Sequence, residues 1–519
     1  MMKKLYSHLN MLNLDKDGYL KDIFGIFFLV LVTRYLFRSH FLFYIDSVNF
    51  ALGINLFSPA THQPQPPGYY LYILSARFAN FFLSDANAAF VLISILASVT
   101  SAIFIYLLSR LWFDRTSAIF SSLLFLISPL FWFHGEVAMI YLPETSLVLS
   151  LAFFSWLNYK EKKYFFWIIP TLLYTILVGF RPSDALFLFP LWLMSFFKLN
   201  PREKIFSIFT LILFTVTWFL PMLKESGGIE IYLSALKDLW NRVPGAQPFG
   251  FKLFLMHSLL IFTGFVFSLG FAAPLIFIRS IKITYPKNVF PFLMCWTIPG
   301  LIFFSIIFFH PMTMGYALYI YAPLLILSGA KASKWYFDSP ASKYLKNTVI
   351  GALIFLNTGL FLFGPMYFSW SQIKLVENYL SYMTQDVKKT FSNRDTVLIG
   401  FDTVLYGFRQ VGYYLPDFKT LEYPEVTTHD GIKVFSMHHQ QTTLLNNSFD
   451  HAIKHVLIVC PLICESDATN SKKINYEVHI QSDLAKKLPK YSLKLLKKEG
   501  GEYLLMEPKY LPVLFPNTY

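Results

Sequence analysis

The chain has 519 residues, 55% of them hydrophobic, 19% aromatic and only 14% charged, where a soluble globular chain carries about a quarter charged residues. That balance excludes a soluble enzyme and marks an integral membrane protein. A formal net charge of +13 does not point to nucleic acid, because the Lys and Arg residues sit in short clusters between apolar runs, as orientation signals do in spanning proteins.

A hydrocarbon core of about 30 Å takes roughly 20 apolar residues to cross as a helix. By that ruler spans are expected near 20–43, 87–109, 116–133, 138–157, 164–180, 184–197, 204–222, 252–278, 289–309, 315–330 and 347–370, about eleven in all. The first apolar run lacks a small-residue cleavage site, so no cleavable leader is expected. Between the first two crossings, His62-Gln-Pro-Gln-Pro66-Pro67-Gly68 stiffens the backbone and turns into Tyr69–Leu83. With Arg77 in its middle, that segment reads as an interfacial amphipathic helix.

The loops alternate in charge. One set holds Lys3, Lys4, Lys16 and Lys21, then Arg110 and Arg115, Lys160 to Lys163, Lys198 to Lys204, Arg279 to Lys287 and Lys331 to Lys346, and the positive-inside rule places it in the cytoplasm. The other set holds the Asp46–His62 stretch, His134-Gly-Glu136, Arg181-Pro-Ser-Asp184, the 224–250 loop and His310-Pro. The unusual polar residues therefore gather on one face, outside. From Ser371 the pattern changes: Thr396-Val-Leu-Ile-Gly, Tyr413-Tyr-Leu, His455-Val-Leu-Ile-Val-Cys and Glu502-Tyr-Leu-Leu-Met read as strands of a small α/β domain. An odd number of spans leaves it outside. The expected fold class is a polytopic α-helical membrane domain, 1–370 with a first outer loop at 44–86, followed by a soluble extracytoplasmic α/β domain, 371–519. The Asn446-Asn-Ser448 sequon lies in the latter and matters only where the host glycosylates secreted proteins. Three cysteines with no pair at metal-ligand spacing argue against a disulfide scaffold or zinc site; for Cys460 and Cys464, two unrelated thiols are favoured over a local bridge.

Several residues could carry chemistry. Asp46 follows the first span; it is either the N-cap of a surface helix or a general base whose partial desolvation suits it to accept a proton. Arg34 and Arg38 lie one turn apart in the outer half of the first span; snorkelling explains Arg38 readily, Arg34 less so. Glu136 and Glu144 bracket Tyr141, and helical spacing would put both carboxylates on one side, with Glu144 deep enough for an inward-facing role. Arg181 either pairs locally with Asp184 or presents its planar fork to a phosphate. His310 opens the tenth span and reads as structural or as part of the site.

With Asp46, then His62 to Tyr70, Gly179-Phe-Arg181-Pro-Ser-Asp and His310-Pro to Gly315-Tyr in this order, the chain resembles the GT-C superfamily of glycosyltransferases. More closely it is similar to the branch of protein O-mannosyltransferases and aminoarabinose transferases. The resemblance covers roughly residues 20–370. It implies a catalytic role for Asp46 and phosphate handling by basic outer-loop residues, Arg181 with Arg77 or His310. Where the mannosyltransferases often have Asp-Glu, this chain has Asp46-Ser47. The implied reaction takes a sugar from a polyprenyl-phosphate donor and passes it, with inversion, to the hydroxyl of a glycan, lipid or protein acceptor, outside a bacterial inner membrane. His62, Arg77, Glu136, Tyr141, Glu144, Arg181, His310 and Arg38 are the expected substrate-binding residues, and no nucleic acid is a partner. No metal ligand is assigned, and a divalent cation stays an open requirement because no ligand cluster is complete in sequence. A secondary transporter, the alternative, calls for inverted repeats and broken helices at the midplane; a noncatalytic scaffold leaves the Asp46–His62 arrangement unused.

Overall fold

A computed structural model describes residues 18–161, 167–242, 250–278, 281–309, 314–401, 407–423, 453–459, 493–498 and 501–506. The chain divides into two units, Met1–Arg38 with Tyr69–Gln372, and Ser39–Gly68 with Ile373–Tyr519. In chain order the helices are α1 (Tyr19–Phe37), α2 (Ile45–Asn55), α3 (Tyr70–Leu83), α4 (Ala86–Trp112), α5 (Arg115–Ile127), α6 (Pro129–His134), α7 (Tyr141–Glu161), α8 (Ile169–Phe180), α9 (Asp184–Phe187), α10 (Phe189–Phe196), α11 (Pro201–Glu225), α12 (Ile229–Arg242), α13 (Phe251–Leu269), α14 (Pro274–Phe277), α15 (Val289–Ile306), α16 (Leu318–Asp338), α17 (Lys343–Phe363) and α18 (Trp370–Thr390).

The first unit is helical. Among the described residues, five helices are long and apolar enough to cross a membrane: Ala86–Trp112, Pro201–Glu225, Phe251–Ala272, Val289–Ile306 and Lys343–Phe363. Helix α4 packs against α1, α3, α5 and α7, and its buried face is lined by Ser94, Ser98, Ser101, Ala102 and Ser109. Without a hydrophobic drive between helices in lipid, small residues let backbones approach and gain dispersion contacts. The same logic governs α5 and α16, where a Cβ on Gly329 would collide with Ser121 Oγ. Helix starts are fixed by side chains: Asp85 accepts from the Ala88 amide and Asp114 from Ser117, and Asn200 with Glu203 forms a reciprocal cap on α11.

Four expected spans are interrupted, one of them, 252–278, at Gly270, whose φ of 57° ends α13 before α14. The first ends as a helix at Phe37, because Arg38 turns extended at ψ 147°. The segment 116–133 breaks at Ser128-Pro129, where Ser128 caps a new short helix and Pro129 cannot donate to the old one. The segment 184–197 divides at Leu188 into α9 and α10, with a proline in the first turn of α10.

The second unit has strands β1 (Thr396–Phe401), β2 (Lys419–Tyr423), β3 (His455–Val459), β4 (Leu493–Lys498) and β5 (Gly501–Met506) in one sheet of order β2-β1-β3-β5-β4. Strands β2, β1 and β3 are parallel, with Leu398 opposite Leu457 and Ile399 opposite Leu421, and β5 and β4 add antiparallel. Val397, Leu398, Ile399, Val456, Leu457 and Ile458 are all buried, as continuous apolar parallel strands require. Ile373, Val376, Leu380, Met383 and Val387 form the buried stripe of α18 at helical spacing. The expected strand at Tyr413-Tyr-Leu is instead the end of a helix, α19 (Phe408–Tyr414), started by Gln410 accepting from the Gly407 amide at 3.0 Å. Cys460, Cys464 and the sequon lie outside the described residues.

Candidate functional site

In the second unit, Asp46 stands half-buried in the first turn of α2. The Tyr44 amide donates to Ser47 Oγ at 3.3 Å, so Ser47, fully buried, supplies the cap that a Glu supplies elsewhere. Burial, and then the Asp46 charge, raise the Tyr44 phenol far above its usual range. Further along, a Cβ on Gly53 would meet Pro64 Cδ at 2.9 Å, so α2 rests directly on the proline run. His62 adopts a left-handed backbone at φ 55°.

The side chains that hold this loop come from α19. Arg409, 2% exposed, donates through Nη1 to Asn49 Oδ1 at 2.5 Å and to the His62 carbonyl at 2.9 Å, and through Nη2 to the Thr61 carbonyl at 3.3 Å. Gln410 Nε2 donates to the carbonyls of Leu42 and Phe43 at 3.0 and 2.8 Å. Tyr414 Oη accepts from the Leu42 amide at 2.7 Å. None of these three residues is singled out by the sequence, although an arginine inside the apolar run Gly407-Phe-Arg-Gln-Val is the kind of signal that reports a buried partner.

In the first unit, the structure brings together Glu144, Arg181 and Tyr141. Arg181 Nη1 meets Glu144 Oε2 at 2.5 Å, and its Nε lies 3.9 Å from Asp184 Oδ1. All three charged groups are buried, and the Arg181 guanidinium stands 4.9 Å from the Tyr316 ring and 5.8 Å from that of Tyr141. His134 and Tyr316 complete this cluster, their rings 5.2 and 5.0 Å from Tyr141. The local pairing of Arg181 with Asp184 is thus present, and a second carboxylate joins it from α7.

Glu136 belongs to a different cluster. It lies in the loop before α7, which starts only at Tyr141, so the helical spacing that would align Glu136 with Glu144 does not apply. Its Oε1 accepts from Trp132 Nε1 at 2.5 Å, and the Arg34 guanidinium covers the Trp132 ring at 4.8 Å while donating to the Leu126 carbonyl at 3.1 Å. Arg34 is fully buried, so snorkelling does not explain it; a buried guanidinium is held here by carbonyls, a ring and a nearby carboxylate. Arg38 folds back on its own helix, donating to the Tyr35 carbonyl at 2.7 Å.

Arg77 pairs with Glu225 at 2.9 Å, and Tyr70 Oη donates to the same carboxylate at 2.7 Å; the Arg77 side chain keeps 27% exposure. This fixes α3 to α11. Phe78, Phe81 and Phe82 project from α3 and are exposed, the apolar face an interfacial helix offers to lipid. His310 lies outside the described residues. Among the described residues, no group of three His, Cys, Asp or Glu is arranged to hold a metal ion.

A scan against models of protein families finds no match, and a search of curated proteins finds none either. Solved structures do match. The chain is similar to the crystal structure of ArnT from Cupriavidus metallidurans bound to undecaprenyl phosphate, at 12% identity and a TM-score of 0.58, covering 94% of this chain and 98% of that one. The same protein in the apo state gives 12% identity, 94% and 97% coverage and a TM-score of 0.53. The apo oligosaccharyltransferase of Archaeoglobus fulgidus gives 13% identity, 86% and 70% coverage and a TM-score of 0.45. At 12% identity the likeness to ArnT is one of fold, carried along nearly the whole length of both chains.

Proposed function

We propose that the protein is a membrane glycosyltransferase that moves a sugar from a polyprenyl-phosphate donor to an acceptor hydroxyl on the extracytoplasmic side of a bacterial inner membrane. The observation that carries this reading is the shared fold with a protein crystallised with undecaprenyl phosphate, over 94% of this chain. About eleven crossings, with residues 371–519 outside, complete the proposed arrangement.

Asp46 is the proposed base. It stands half-buried in the first turn of α2, where a carboxylate can meet an acceptor hydroxyl as general base. The acceptor oxygen attacks the anomeric carbon as its proton passes to Asp46. The bond from that carbon to the phosphate oxygen breaks, and the polyprenyl phosphate leaves with the electron pair. A single displacement inverts the anomeric centre.

Developing charge on the phosphate calls for fixed donors. Arg181, held by two carboxylates, and Arg77, held by Glu225 with its side chain 27% exposed, are with His310 the proposed phosphate donors, and each of the two arginines would exchange a carboxylate for the phosphate. His62, in the unit of Asp46, and Tyr141, Glu136, Glu144 and Arg38, in the other, remain proposed substrate-binding residues. Among the described residues no group of three His, Cys, Asp or Glu is placed to hold a divalent cation.

The test is transfer of radiolabelled sugar from a panel of polyprenyl-phosphate donors in membranes containing wild type or Asp46→Asn at matched expression. Transfer that collapses by about two to four orders of magnitude in the variant supports both the reaction and the base. Undiminished transfer by Asp46→Asn removes Asp46 from the mechanism, and absence of transfer by wild type across the panel removes the reaction.

A further inference from the structure

We infer that Arg409 is a positioning residue for Asp46, and that one task of the C-terminal α/β part is to hold the acidic loop in register. The inference rests on the reading of Asp46 as the base. Residues 39–68 and 373–519 form one unit, although more than three hundred residues of chain separate them. What joins them at the acidic loop is α19. Gln410 and Tyr414 take the backbone of Leu42 and Phe43, three to four residues before Asp46. Arg409 takes Asn49, three residues after it and one turn along the same face of α2. The same guanidinium closes on the carbonyls of Thr61 and His62 at the far end of the loop.

The turn that carries Asp46 is therefore bracketed on both sides by neighbouring residues of one short helix. Asn49, Arg409 and Gln410 are buried. A bond made away from water to a buried polar partner fixes geometry, because neither group can exchange its partner for solvent. The single guanidinium spans three acceptors on two segments, a task that suits its planar fork and that a lysine ammonium cannot reproduce. A carboxylate displaced by about 1 Å can lose two orders of magnitude in rate without any change in its chemistry. Arg409 has no proposed contact with substrate; it acts through Asn49 and the loop.

The experiment compares full-length wild type, Arg409→Gln, Arg409→Lys, Asp46→Asn and the Arg409→Gln/Asp46→Asn pair, all reconstituted in lipid nanodiscs. Hydrogen exchange should rise in peptides covering 42–62 in Arg409→Gln while peptides of Ala86–Trp112 stay as in wild type. In transfer assays kcat should fall about 100-fold with the donor KM within twofold, and Arg409→Lys should recover only part of the loss. Because Arg409 acts through Asp46, the double variant should be no slower than Asp46→Asn alone. Unchanged exchange at 42–62 in Arg409→Gln overturns the inference whether or not the protein transfers sugar. Multiplied losses in the double variant, or an unchanged kcat in Arg409→Gln, overturn it as well. Absence of wild-type transfer instead defeats the glycosyltransferase reading, and the exchange arm still decides whether Arg409 holds the loop.

Discussion

At the scale of single residues, a few charges are buried together inside the molecule. Arg181 sits between Glu144 and Asp184 with all three buried, and such a set is costly to assemble and costlier to break. Glu144→Ala leaves a buried guanidinium facing one carboxylate at 3.9 Å, an expected loss of about 3–5 kcal/mol. Glu144→Gln keeps an oxygen acceptor and should lose less. Thermal unfolding in detergent reads the difference, and equal melting of wild type and Glu144→Ala would show the cluster to be energetically idle. Tyr44 gives a pH-dependent counterpart. Its phenol titrates higher in the folded chain than in the unfolded one, through burial and then Asp46, so the folded state holds the proton longer. Stability is therefore full below about pH 10, the ordinary tyrosine value, and falls as pH rises beyond it, because the unfolded state releases its proton first. Tyr44→Phe should flatten that alkaline limb in the unfolding of the unit that contains it; an unchanged limb would assign the alkaline loss to other groups.

At the scale of elements, what could be read from sequence was whatever is written locally. The helix after Gly68 shows itself by Arg77 within an apolar run, and α3 starts at Tyr70. Strands β1, β3 and β5 are short apolar runs between polar segments, and each forms where the pattern puts it. The run Tyr413-Tyr-Leu has the same look yet ends a helix, because Gln410 caps the Gly407 amide and an apolar triplet has no period of its own. Breaks at Ser128-Pro129 and Leu188 are hidden from a hydropathy ruler, which averages over a proline that the backbone cannot ignore. The site divides along the same line. Asp46 and the Arg181–Asp184 pair are neighbours in sequence to their motifs, whereas Arg409 meets Asn49 across 360 positions. Nothing in either local sequence announces the other.

At the scale of the whole molecule, the proposed orientation reduces to a question of parity that one helix decides. Between Arg202 and Lys454 the proposed crossings are α11, α13, α15, α16 and α17. Four of these meet the length and apolarity of a span; α16 carries Lys331, Lys334 and Asp338 at its end and does not. Yet α16 has 21 residues, about 31 Å of helix, and its charges fall together in the last two turns, where they can reach an aqueous surface. It is also the most buried of the five, packed on α5 and α7, so protein rather than lipid covers it and low apolarity costs little. If α16 crosses, five crossings put Arg202 and Lys454 on opposite sides of the bilayer. Both positions are exposed, so each tolerates a cysteine in a background where Cys295, Cys460 and Cys464 are serine. A membrane-impermeant maleimide added to intact cells with the outer barrier removed should label Lys454→Cys at once and Arg202→Cys only after permeabilisation. Labelling of both before permeabilisation would mean that α16 turns back within the protein, and would put the C-terminal strands on the same side as the Lys198–Lys204 cluster. The reverse pattern would invert the whole arrangement and take Asp46 away from the face where the proposed donor presents its sugar.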